Sequence, residues 1–569
     1  MESNRQGVFM IRKLTCLALI SVMFYHCQGK EKESLFGFGS IQQILNVLIV
    51  KEVVASSSCP GVTGEDPFYA DQWHLNNDGT KSSSVSGEDA KVQAVWNSGN
   101  YGADVLVAVV DDGVEVAHED LKDNVSSAVA GYNYVNNTTN PSHTSSSSGH
   151  GTNVAGVIAA KMKNGLGLRG AAPCAKLTGR NILESNLTTS IISDSMTKDI
   201  ASIAISNNSW GATDSTGQYA DSMASTTWKS AIDTGVTTGR GGKGTLYLWA
   251  AGNGSEPGFP SSFALEAEIV DNSNHDGQAN YHGVLAIGGI GINGKKAAYS
   301  EKGANLWVVA HTQGNSSTAY TTAISTTDPT GTSGFNTGSD KTNYSNTAYN
   351  NGFNGTSSAT PLAAGVIALL LKADSTLSWR DVREILAKSA RKNDSTDTDW
   401  AVNGAGYNIN HKYGFGAIDA NAAVTAAKTW TKITGAYMSE STSSSSTVTI
   451  TDNDLVTGSS ATVSYSGTIT KTEYVQINFT STNSNFGHLK VELTSPSGTK
   501  SVLTEVHKCI SGGSIGYSLC GAASSATRFG SARHLGENPS GTWTMKVYDG
   551  VSGGTPGNFS FSLTIKGRA

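Results

Sequence analysis

Buried strands alternate with helices over the first three quarters of the chain. Val105–Val110 is a continuous apolar run rich in valine, as expected of a parallel strand covered on both faces. Ala359–Lys372 predicts an apolar helix, with Pro361 near its first turn, where a missing N–H costs little. Leu377–Ala390 has its apolar residues on one side, which predicts an amphipathic helix. The alternation predicts an α/β domain, with a mostly parallel sheet flanked by helices, over residues 59–428.

The pattern changes after Trp430. Ser441–Ser446 is predicted to be a linker rich in serine and threonine. Short alternating apolar runs then follow, separated by Gly, Asn, Pro and Ser: Ala461–Val463, Val475–Phe479, Leu489–Leu493, Trp543–Val547 and Phe559–Ile565. Such runs predict an all-β, jelly-roll-like sandwich over residues 431–569, with a domain boundary near residue 430.

The N-terminus has the pattern of a secretory leader. Basic residues precede an apolar run, Leu14–Tyr25, whose length of about twelve residues is short for a membrane span. We expect a signal peptide over residues 1–28 and a short pro-segment or linker over residues 29–58. An uncleaved anchor is the alternative. Apart from such an anchor we expect no stable membrane span, and we expect a location in the secretory lumen or outside the cell.

Composition narrows the classes of function. The chain has 569 residues, of which only 15 % are charged, and its formal net charge is −6 at pH 7. This balance predicts no basic surface for nucleic acid or for an anionic membrane. The spacing of Cys509 and Cys520 suits a local disulfide, which leaves Cys59 and Cys174 as the remaining pair outside the leader. Four free thiols are the alternative.

Four short segments carry the residue types that acyl transfer requires. Asp111 follows the buried strand, His150 and Ser357 each open a predicted helix, and Asn253 lies in a glycine-flanked loop. A serine nucleophile needs a base to take its proton and a carboxylate to orient that base. At a helix start, main-chain N–H groups also face a developing oxyanion, and an amide such as Asn253 adds a donor. The order Asp, His, Ser is the subtilisin order.

These segments resemble the subtilisin-like serine proteases, and in particular the kexin/furin branch of proprotein convertases. The doubled Asp111-Asp112 favours that branch, and residues 536–543 are similar to the P domain of convertases. The resemblance implies that Asp111 orients the base His150, that Ser357 is the nucleophile and that Asn253 is the oxyanion donor. It also implies a segment that pairs with the substrate backbone. That segment comprises Ser209, Trp210 and Gly211.

The resemblance also places acids in the substrate-binding pockets. Asp214 and Asp276 are implied to line the pocket for the residue before the scissile bond, which selects Arg or Lys. Asp112 is implied to meet the next residue back. Ser147 replaces the second acid of that subsite, and Gln278 stands where furin has a pocket tyrosine. We therefore expect a strong basic preference at the first position and a weaker one at the second.

Two oxygen-rich clusters imply calcium by the same resemblance. The first consists of three side chains and three main-chain carbonyls: Asp66, Asp120 and Asn164, with Lys161, Leu166 and Leu168. The second comprises Asp214, Asp271 and Glu301, close behind the specificity pocket. Ordinary turn and capping acids are the alternative for each.

The sequence thus predicts a monomeric, calcium-dependent endopeptidase that cuts protein or peptide substrates after basic residues. A degradative protease of broad specificity and a catalytically silent binding protein on the same fold are the alternatives. The family also carries a folded propeptide that ends in a basic site, whereas residues 29–58 contain no paired basic residues. We expect either a different maturation or an incomplete N-terminal sequence.

Overall fold

The computed structural model describes residues 64–255, 271–314, 322–339, 344–444, 446–522 and 527–569. The described residues belong to one compact unit, Ser58–Ala569. The predicted signal peptide, the predicted pro-segment and Cys59 lie outside the described residues. All elements of secondary structure given below belong to this unit.

A seven-stranded parallel sheet lies at the centre of the N-terminal part. Its strands are β1 (Leu106–Asp111), β2 (Tyr132–Asn133), β3 (Lys176–Asn181), β4 (Ile205–Asn208), β5 (Leu246–Ala250), β6 (Val284–Ile290) and β7 (Leu306–His311). Their order in space is β2-β3-β1-β4-β5-β6-β7, and neighbouring strands are parallel. Every residue of β1 is buried, in agreement with its apolar sequence.

Helices flank this sheet. They are α1 (Val92–Asn97), α2 (His150–Ala159), α3 (Thr189–Thr197), α4 (Thr226–Gly242), α5 (Thr356–Ala373), α6 (Trp379–Ser389) and α7 (Ala420–Ala427). Helix α6 begins after Ser378, which forms a capping box with Asp381 and so satisfies two free donors of the first turn. The predicted α/β fold is confirmed.

Helix α5 is the core helix of this part. Among the described residues it is the one helix long and apolar enough to cross a membrane, and 83 % of the apolar window is buried inside the fold. Pro361 lies in its second turn rather than its first. Because proline has no N–H, the carbonyl of Ser357 loses its helical partner, and the hydroxyl of Ser209 donates to that carbonyl at 3.0 Å.

Short antiparallel pairs connect the larger elements. Strands β8 (Ile324–Thr327) and β9 (Tyr349–Phe353) form one pair before α5. Strands β10 (Ala401–Val402) and β11 (Asn408–Ile409) form another before α7.

The C-terminal part is a sandwich of two antiparallel sheets. Its strands are β12 (Met438–Ser443), β13 (Val448–Thr449), β14 (Asp454–Tyr465), β15 (Lys471–Ser481), β16 (Leu489–Thr494), β17 (Lys500–Thr504), β20 (Thr527–Ser531), β21 (Gly541–Asp549) and β22 (Asn558–Arg568), with a separate hairpin of β18 (Cys509–Ser511) and β19 (Ser514–Gly516). One sheet has the order β12-β22-β15-β20, with β13 beside β22, and the other has the order β14-β21-β16-β17. Alternate residues of β22 are buried in a separate core, which agrees with the predicted sandwich.

Two sequence predictions concern the join between these parts. The predicted linker Ser441–Ser446 is wrong at its start, because Met438–Ser443 pairs with β22 as an edge strand. Its small polar side chains alternate between exposed and half-buried, and the register with β22 supplies the pairing that composition does not reveal. The boundary near residue 430 stays a prediction, since Ser58–Ala569 forms one compact unit.

The cysteine prediction is confirmed in part. Cys509 and Cys520 form a disulfide, and Cys174 is disulfide-bonded as well, so the alternative of four free thiols is wrong. The predicted partner of Cys174, Cys59, lies outside the described residues.

Candidate active site

The structure brings Asp111 and His150 together at the carboxyl end of β1, and it places Ser357 at the start of α5. Asp111 is the last residue of β1, and the other two lie in the first turns of α2 and α5. His150 Nδ1 lies 2.9 Å from Asp111 Oδ1, which favours the tautomer whose Nε2 can take a proton. The hydroxyl of Ser357 donates to the carbonyl of Ser209 at 3.1 Å. Because a serine hydroxyl rotates freely, this proton can turn toward the base when substrate binds.

Burial and charge set the proton affinities of the pair. Burial raises the pKa of the Asp111 carboxyl, against the attraction of His150. Burial lowers the pKa of His150, but the charge and hydrogen bond of Asp111 outweigh it and raise this pKa to about 9. The His150 side chain keeps 25 % of its surface exposed, so solvent screens part of that attraction.

Asp112 caps the helix that carries His150. Its Oδ2 accepts hydrogen bonds from the N–H groups of Gly149 (2.9 Å) and His150 (3.1 Å), and its Oδ1 accepts one from Gly151 (2.7 Å). A carboxylate at a helix start satisfies donors that have no partner within the helix. The carboxylate of Asp112, a predicted subsite acid, is therefore largely occupied by hydrogen bonds within the protein. Ser147, at the other predicted subsite position, is exposed.

Asn253 is held in one amide orientation. Its Oδ1 accepts hydrogen bonds from the N–H (2.8 Å) and the hydroxyl (3.0 Å) of Thr356, the residue before the nucleophile. Its Nδ2 donates to Asp214 Oδ2 at 3.2 Å. An amide nitrogen carries two protons, so a second donor is available for an oxyanion beside Ser357.

A cavity of about 260 Å³ joins the nucleophile to the predicted specificity acids. Its lining residues include the predicted backbone-binding segment, the triad serine, the oxyanion amide and the carboxylates: Ser209, Trp210, Gly211, Ser357, Asn253, Asp214, Asp271, Asp276 and Glu301. A Cβ atom on Gly211 would lie 2.6 Å from Asp276 Oδ2, so glycine allows this acid to approach the wall. Trp210 Nε1 donates to the carbonyl of Val110 at 2.9 Å, which ties the wall to β1.

Asp276 is bound by main-chain donors. Its carboxylate accepts hydrogen bonds from the N–H groups of Gln278 (2.6 Å), Ala212 (2.9 Å) and Ala279 (3.1 Å). These bonds lower the pKa of Asp276, but burial outweighs them and raises it. The donors orient the carboxylate without supplying a full positive charge, which leaves it suited to a cationic ligand.

Asp214, Asp271 and Glu301 form what we call the second cluster. Asp214 accepts a hydrogen bond from the N–H of Asn253 (2.9 Å), and Glu301 accepts one from Gly254 (3.0 Å). Burial and mutual repulsion raise the pKa of Asp271 to about 7 and that of Glu301 well above its usual range. Within the part of the chain that the structure describes, neither these three acids nor Asp276 forms an ion pair. Buried oxygens without a counter-ion are the donor set that fits a calcium ion.

Asp66, Asp120 and Asn164 form the first cluster. Asn164 Nδ2 donates to Asp120 Oδ1 at 2.8 Å, and the N–H of Leu168 donates to Asp120 Oδ2 at 3.0 Å. Asp66 forms a buried ion pair with Arg169 Nε. The structure thus brings Asp66 and Asp120, from two other segments, to the turn that contains Asn164, but Arg169 already neutralises one of the two acids.

The other predicted residues of the first cluster lie in the same turn. Lys161 donates its N–H to the carbonyl of Asp120 at 2.9 Å, and the N–H of Leu166 donates to Asn164 Oδ1 at 3.0 Å. Burial raises the pKa of Asp120 to about 7. A calcium ion fits here less well than in the second cluster, because the side-chain oxygen of Asn164 is occupied.

Sequence reasoning missed two side chains that bear on these sites. Phe353 packs edge-on against the His150 ring, with the ring centroids 5.3 Å apart. Arg169 pairs with Asp66 and stacks over the ring of Tyr69 at 3.9 Å. No motif marks Phe353, whereas an arginine directly after the predicted ligand Leu168 was a visible signal.

Comparison with known proteins shows which family this chain belongs to. A model described as "Subtilase family" matches residues 102–416, and a model described as "Proprotein convertase P-domain" matches residues 472–565. The chain belongs to the subtilase family. The predicted resemblance to the convertases is confirmed, and with it the assignment of this subtilase to the serine endopeptidases. Its C-terminal sandwich is called the P domain from here on.

Curated relatives and solved structures agree with this assignment. Neuroendocrine convertase 2 of Drosophila melanogaster is 32 % identical over 493 residues, which cover 85 % of this chain and 69 % of the relative. Human proprotein convertase subtilisin/kexin type 6 is 31 % identical over 85 % of this chain and 46 % of its own length. The chain thus spans about half the length of this relative. The serine protease of Aeromonas sobria has a TM-score of 0.77 at 26 % identity, over 95 % of this chain and 99 % of that one.

Proposed function

We propose that this protein is a calcium-dependent endopeptidase that cleaves proproteins after Arg or Lys. The observation that carries the proposal is the cavity that places Ser357 and Asn253 beside Asp214 and Asp276. The similar convertases are named for action on proproteins, which supports protein substrates for this chain. A secretory lumen or the extracellular space is the location that the predicted leader and these relatives support.

The proposed reaction uses the residues of the chain as follows. His150 takes the proton of Ser357 as the hydroxyl attacks the scissile carbonyl, and Asp111 stabilises the imidazolium that forms. Asn253 Nδ2 and main-chain N–H groups at the start of α5 stabilise the oxyanion. His150 then passes its proton to the leaving amine, and water hydrolyses the acyl-enzyme by the same steps in reverse.

Specificity in this proposal comes from charge. A guanidinium or ammonium group in the cavity would compensate Asp276 and Asp214, which lack ion-pair partners among the described residues. A neutral substrate residue would leave them uncompensated. The acid available for the next residue back, Asp112, is bound by three N–H groups. We therefore propose a strict first position and a weak second position.

Calcium in this proposal is held by the second cluster. Asp214, Asp271 and Glu301 supply oxygen ligands, and a bound ion would offset their repulsion. Because Asp214 also faces the specificity cavity, loss of the ion should deform the pocket before the domain unfolds.

A degradative protease of broad specificity is the second candidate. The exposed Ser147 and the internally bound Asp112 favour it, since both weaken selection at the second position. The deciding experiment is a cleavage profile of the full chain on a peptide library, with and without a calcium chelator. Strict cleavage after Arg or Lys that chelation abolishes supports the processing protease. Equal, chelator-resistant cleavage after Leu, Phe and Arg supports the degradative one, and Ser357→Ala is the inactive control.

Asp276→Asn tests the pocket directly. The variant removes one uncompensated carboxylate charge and keeps the side-chain shape, so kcat/KM for an Arg peptide should fall by about 10²–10³. The rate of cleavage of a matched Leu peptide and the rate of labelling of Ser357 by a fluorophosphonate should stay at their wild-type values. The matched control Asp120→Asn, in the first cluster, should leave the ratio of the Arg rate to the Leu rate unchanged. An unaltered ratio in Asp276→Asn would remove this acid from the pocket.

A further inference from the structure

A disulfide-closed hairpin of the P domain packs against the loop behind the specificity cavity. This P-domain hairpin comprises residues 507–520, with strands β18 and β19 and the Cys509–Cys520 disulfide. The N–H of Ile510 donates to the carbonyl of Thr216 at 2.9 Å, and Gln218 Nε2 donates to the carbonyl of Ile510 at 2.9 Å. The hairpin is thus joined to the 216–218 segment by one main-chain hydrogen bond and one side-chain hydrogen bond at Ile510.

The register of the hairpin explains why Ile510 is available for these bonds. Gly512 and Gly513 both have positive φ, as a two-residue turn of the I′ type requires. Ser511 therefore forms a hydrogen-bonded pair with Ser514, and the next pair, Ile510 and Ile515, is non-hydrogen-bonded. The N–H and C=O of Ile510 point away from β19, toward the subtilase domain.

Two further contacts fit the hairpin closely to the loop. His507 Nε2 lies 2.9 Å from the carbonyl of Gly217. A Cβ atom on Gly217 would lie 2.5 Å from the carbonyl oxygen of Lys508 and 3.1 Å from Cys509 Sγ. Glycine at this position, with φ of 68°, lets the hairpin approach.

The same loop holds the acids of the cavity. The N–H groups of Thr216 and Gly217 both donate to the carboxylate of Asp271, and Gln218 lines the cavity itself. The loop therefore bonds to the P-domain hairpin through its carbonyls and to the cavity acids through its N–H groups. The carbonyl and the N–H of the same peptide units therefore link the position of the hairpin to the position of the cavity acids.

A second strand of the P domain contacts the segment that carries Asp276. The hydroxyl of Thr504, at the end of β17, lies 3.0 Å from Nε2 of the buried His275. His275 directly precedes Asp276. The His275 ring also lies 5.0 Å from the His507 ring of the hairpin, measured between centroids. The P domain thus contacts two adjoining segments that line the specificity cavity.

We propose that the P-domain hairpin is a positioning element of the specificity pocket, which makes selection of a basic residue depend on the P domain. His507, Ile510 and the Cys509–Cys520 disulfide hold the 214–218 loop in the geometry that directs Asp214 and Asp271 to the cavity. This inference deepens the proposed function and rests on it. The chemistry at Ser357 does not depend on the hairpin.

The test uses two pairs of variants in the full chain. Ile510→Pro removes the N–H that bonds to Thr216, and Ile515→Pro is its control at the facing non-hydrogen-bonded position. Gly217→Ala inserts a methyl group under the hairpin. Gly498→Ala is its control, since it has a similar φ of 84° but no atom within 4 Å of the added Cβ. The measurements are kcat and KM on matched Arg and Leu peptides, and the rate of fluorophosphonate labelling.

We expect Ile510→Pro and Gly217→Ala to lower kcat/KM for the Arg peptide by about five- to tenfold, the equivalent of one lost hydrogen bond. The Leu peptide and the labelling rate should change by less than about twofold, as should all rates in both controls. A parallel loss on both peptides and in labelling would show a structural role only and overturn the proposal. An unchanged ratio of Arg to Leu rates in both variants would also overturn it.

Failure of the proposed function has a different signature. A wild-type enzyme without preference for Arg over Leu would overturn both proposals before any variant is made. A wild-type preference that survives in Ile510→Pro and Gly217→Ala would overturn the role of the hairpin alone. The double variant Cys509→Ser/Cys520→Ser should reproduce the selective loss, and retention of full selectivity in it would count against the disulfide as part of the element.

Discussion

The two acidic clusters of the subtilase domain are built from similar residues but are neutralised in different ways. In the first cluster, Arg169 pairs with Asp66 and amide donors occupy Asp120. In the second cluster, Asp214, Asp271 and Glu301 have main-chain donors and no ion-pair partner among the described residues. The first cluster can therefore stabilise the fold by itself, whereas the second requires protons or an added cation.

The positions of the two clusters determine what this difference in neutralisation affects. The first cluster surrounds the turn after α2 and does not line the specificity cavity, whereas the second cluster lines it. In the first cluster the Asp66–Arg169 ion pair needs no added cation, whereas burial raises the pKa of Asp120 to about 7. In the proposed function the second cluster makes the pocket responsive to calcium, and the comparison between the two clusters can be tested by exchanging these properties.

The largest expected effect comes from Arg169→Met. This variant keeps an apolar side chain beside Tyr69 but leaves the buried Asp66 without an ion-pair partner, so the free energy of unfolding should fall by about 3 kcal/mol. Added calcium should restore part of the loss, because the first cluster then resembles the second. Denaturant unfolding with and without calcium measures both effects, and Arg169→Lys, which keeps the charge, is the control. If calcium has no effect on Arg169→Met, the first cluster cannot hold the ion.

A smaller effect is expected from Glu301→Gln. Removing one of three mutually repelling carboxylates should stabilise the calcium-free protein by about 1 kcal/mol and greatly weaken its response to calcium. Calcium titration followed by melting temperature measures the change. Asp104→Asn, at an acid whose side chain is 78 % exposed, is the control. A full calcium response in Glu301→Gln would place the ion elsewhere.

The third effect is a pH dependence of stability without calcium. The pKa of Asp271 is raised to about 7 in the folded protein, so the folded state keeps a proton that the unfolded chain releases above about pH 4. The free energy of unfolding should therefore fall as pH rises from about 4 to 7. Calcium bound at the second cluster should reduce this slope, and the part that remains should come from groups such as Asp120, whose pKa is also raised to about 7. A stability that rises over this range in chelator would contradict the raised pKa.

The chemical motifs were predictable because each lies in consecutive residues. Asp111, His150, Asn253 and Ser357 each end a strand, start a helix or lie in a glycine-flanked loop, and the spacing along the chain carries that information. The apolar runs of β1 and α5 were predictable for the same reason, since a buried element is apolar throughout its own length.

What could not be predicted depends on contacts between distant segments. The pairing of β12 with β22 joins residues more than a hundred positions apart, and the sequence of neither strand indicates which strand it pairs with. The same is true of Arg169 beside Asp66 and of Phe353 beside His150. Asp112 was predicted as a substrate ligand because its sequence position is all that a motif contains, whereas its three main-chain partners follow from the approach of α2 to β1.

The two serines Ser209 and Ser357 are bonded to each other twice. The hydroxyl of Ser357 donates to the carbonyl of Ser209, and the hydroxyl of Ser209 donates to the carbonyl of Ser357, which is free because Pro361 has no N–H. In the proposed reaction, transfer of the Ser357 proton to His150 breaks the first hydrogen bond and keeps the second. The carbonyl of Ser209 then becomes free to accept a hydrogen bond from the substrate backbone, while the hydroxyl of Ser209 keeps this segment bound to α5.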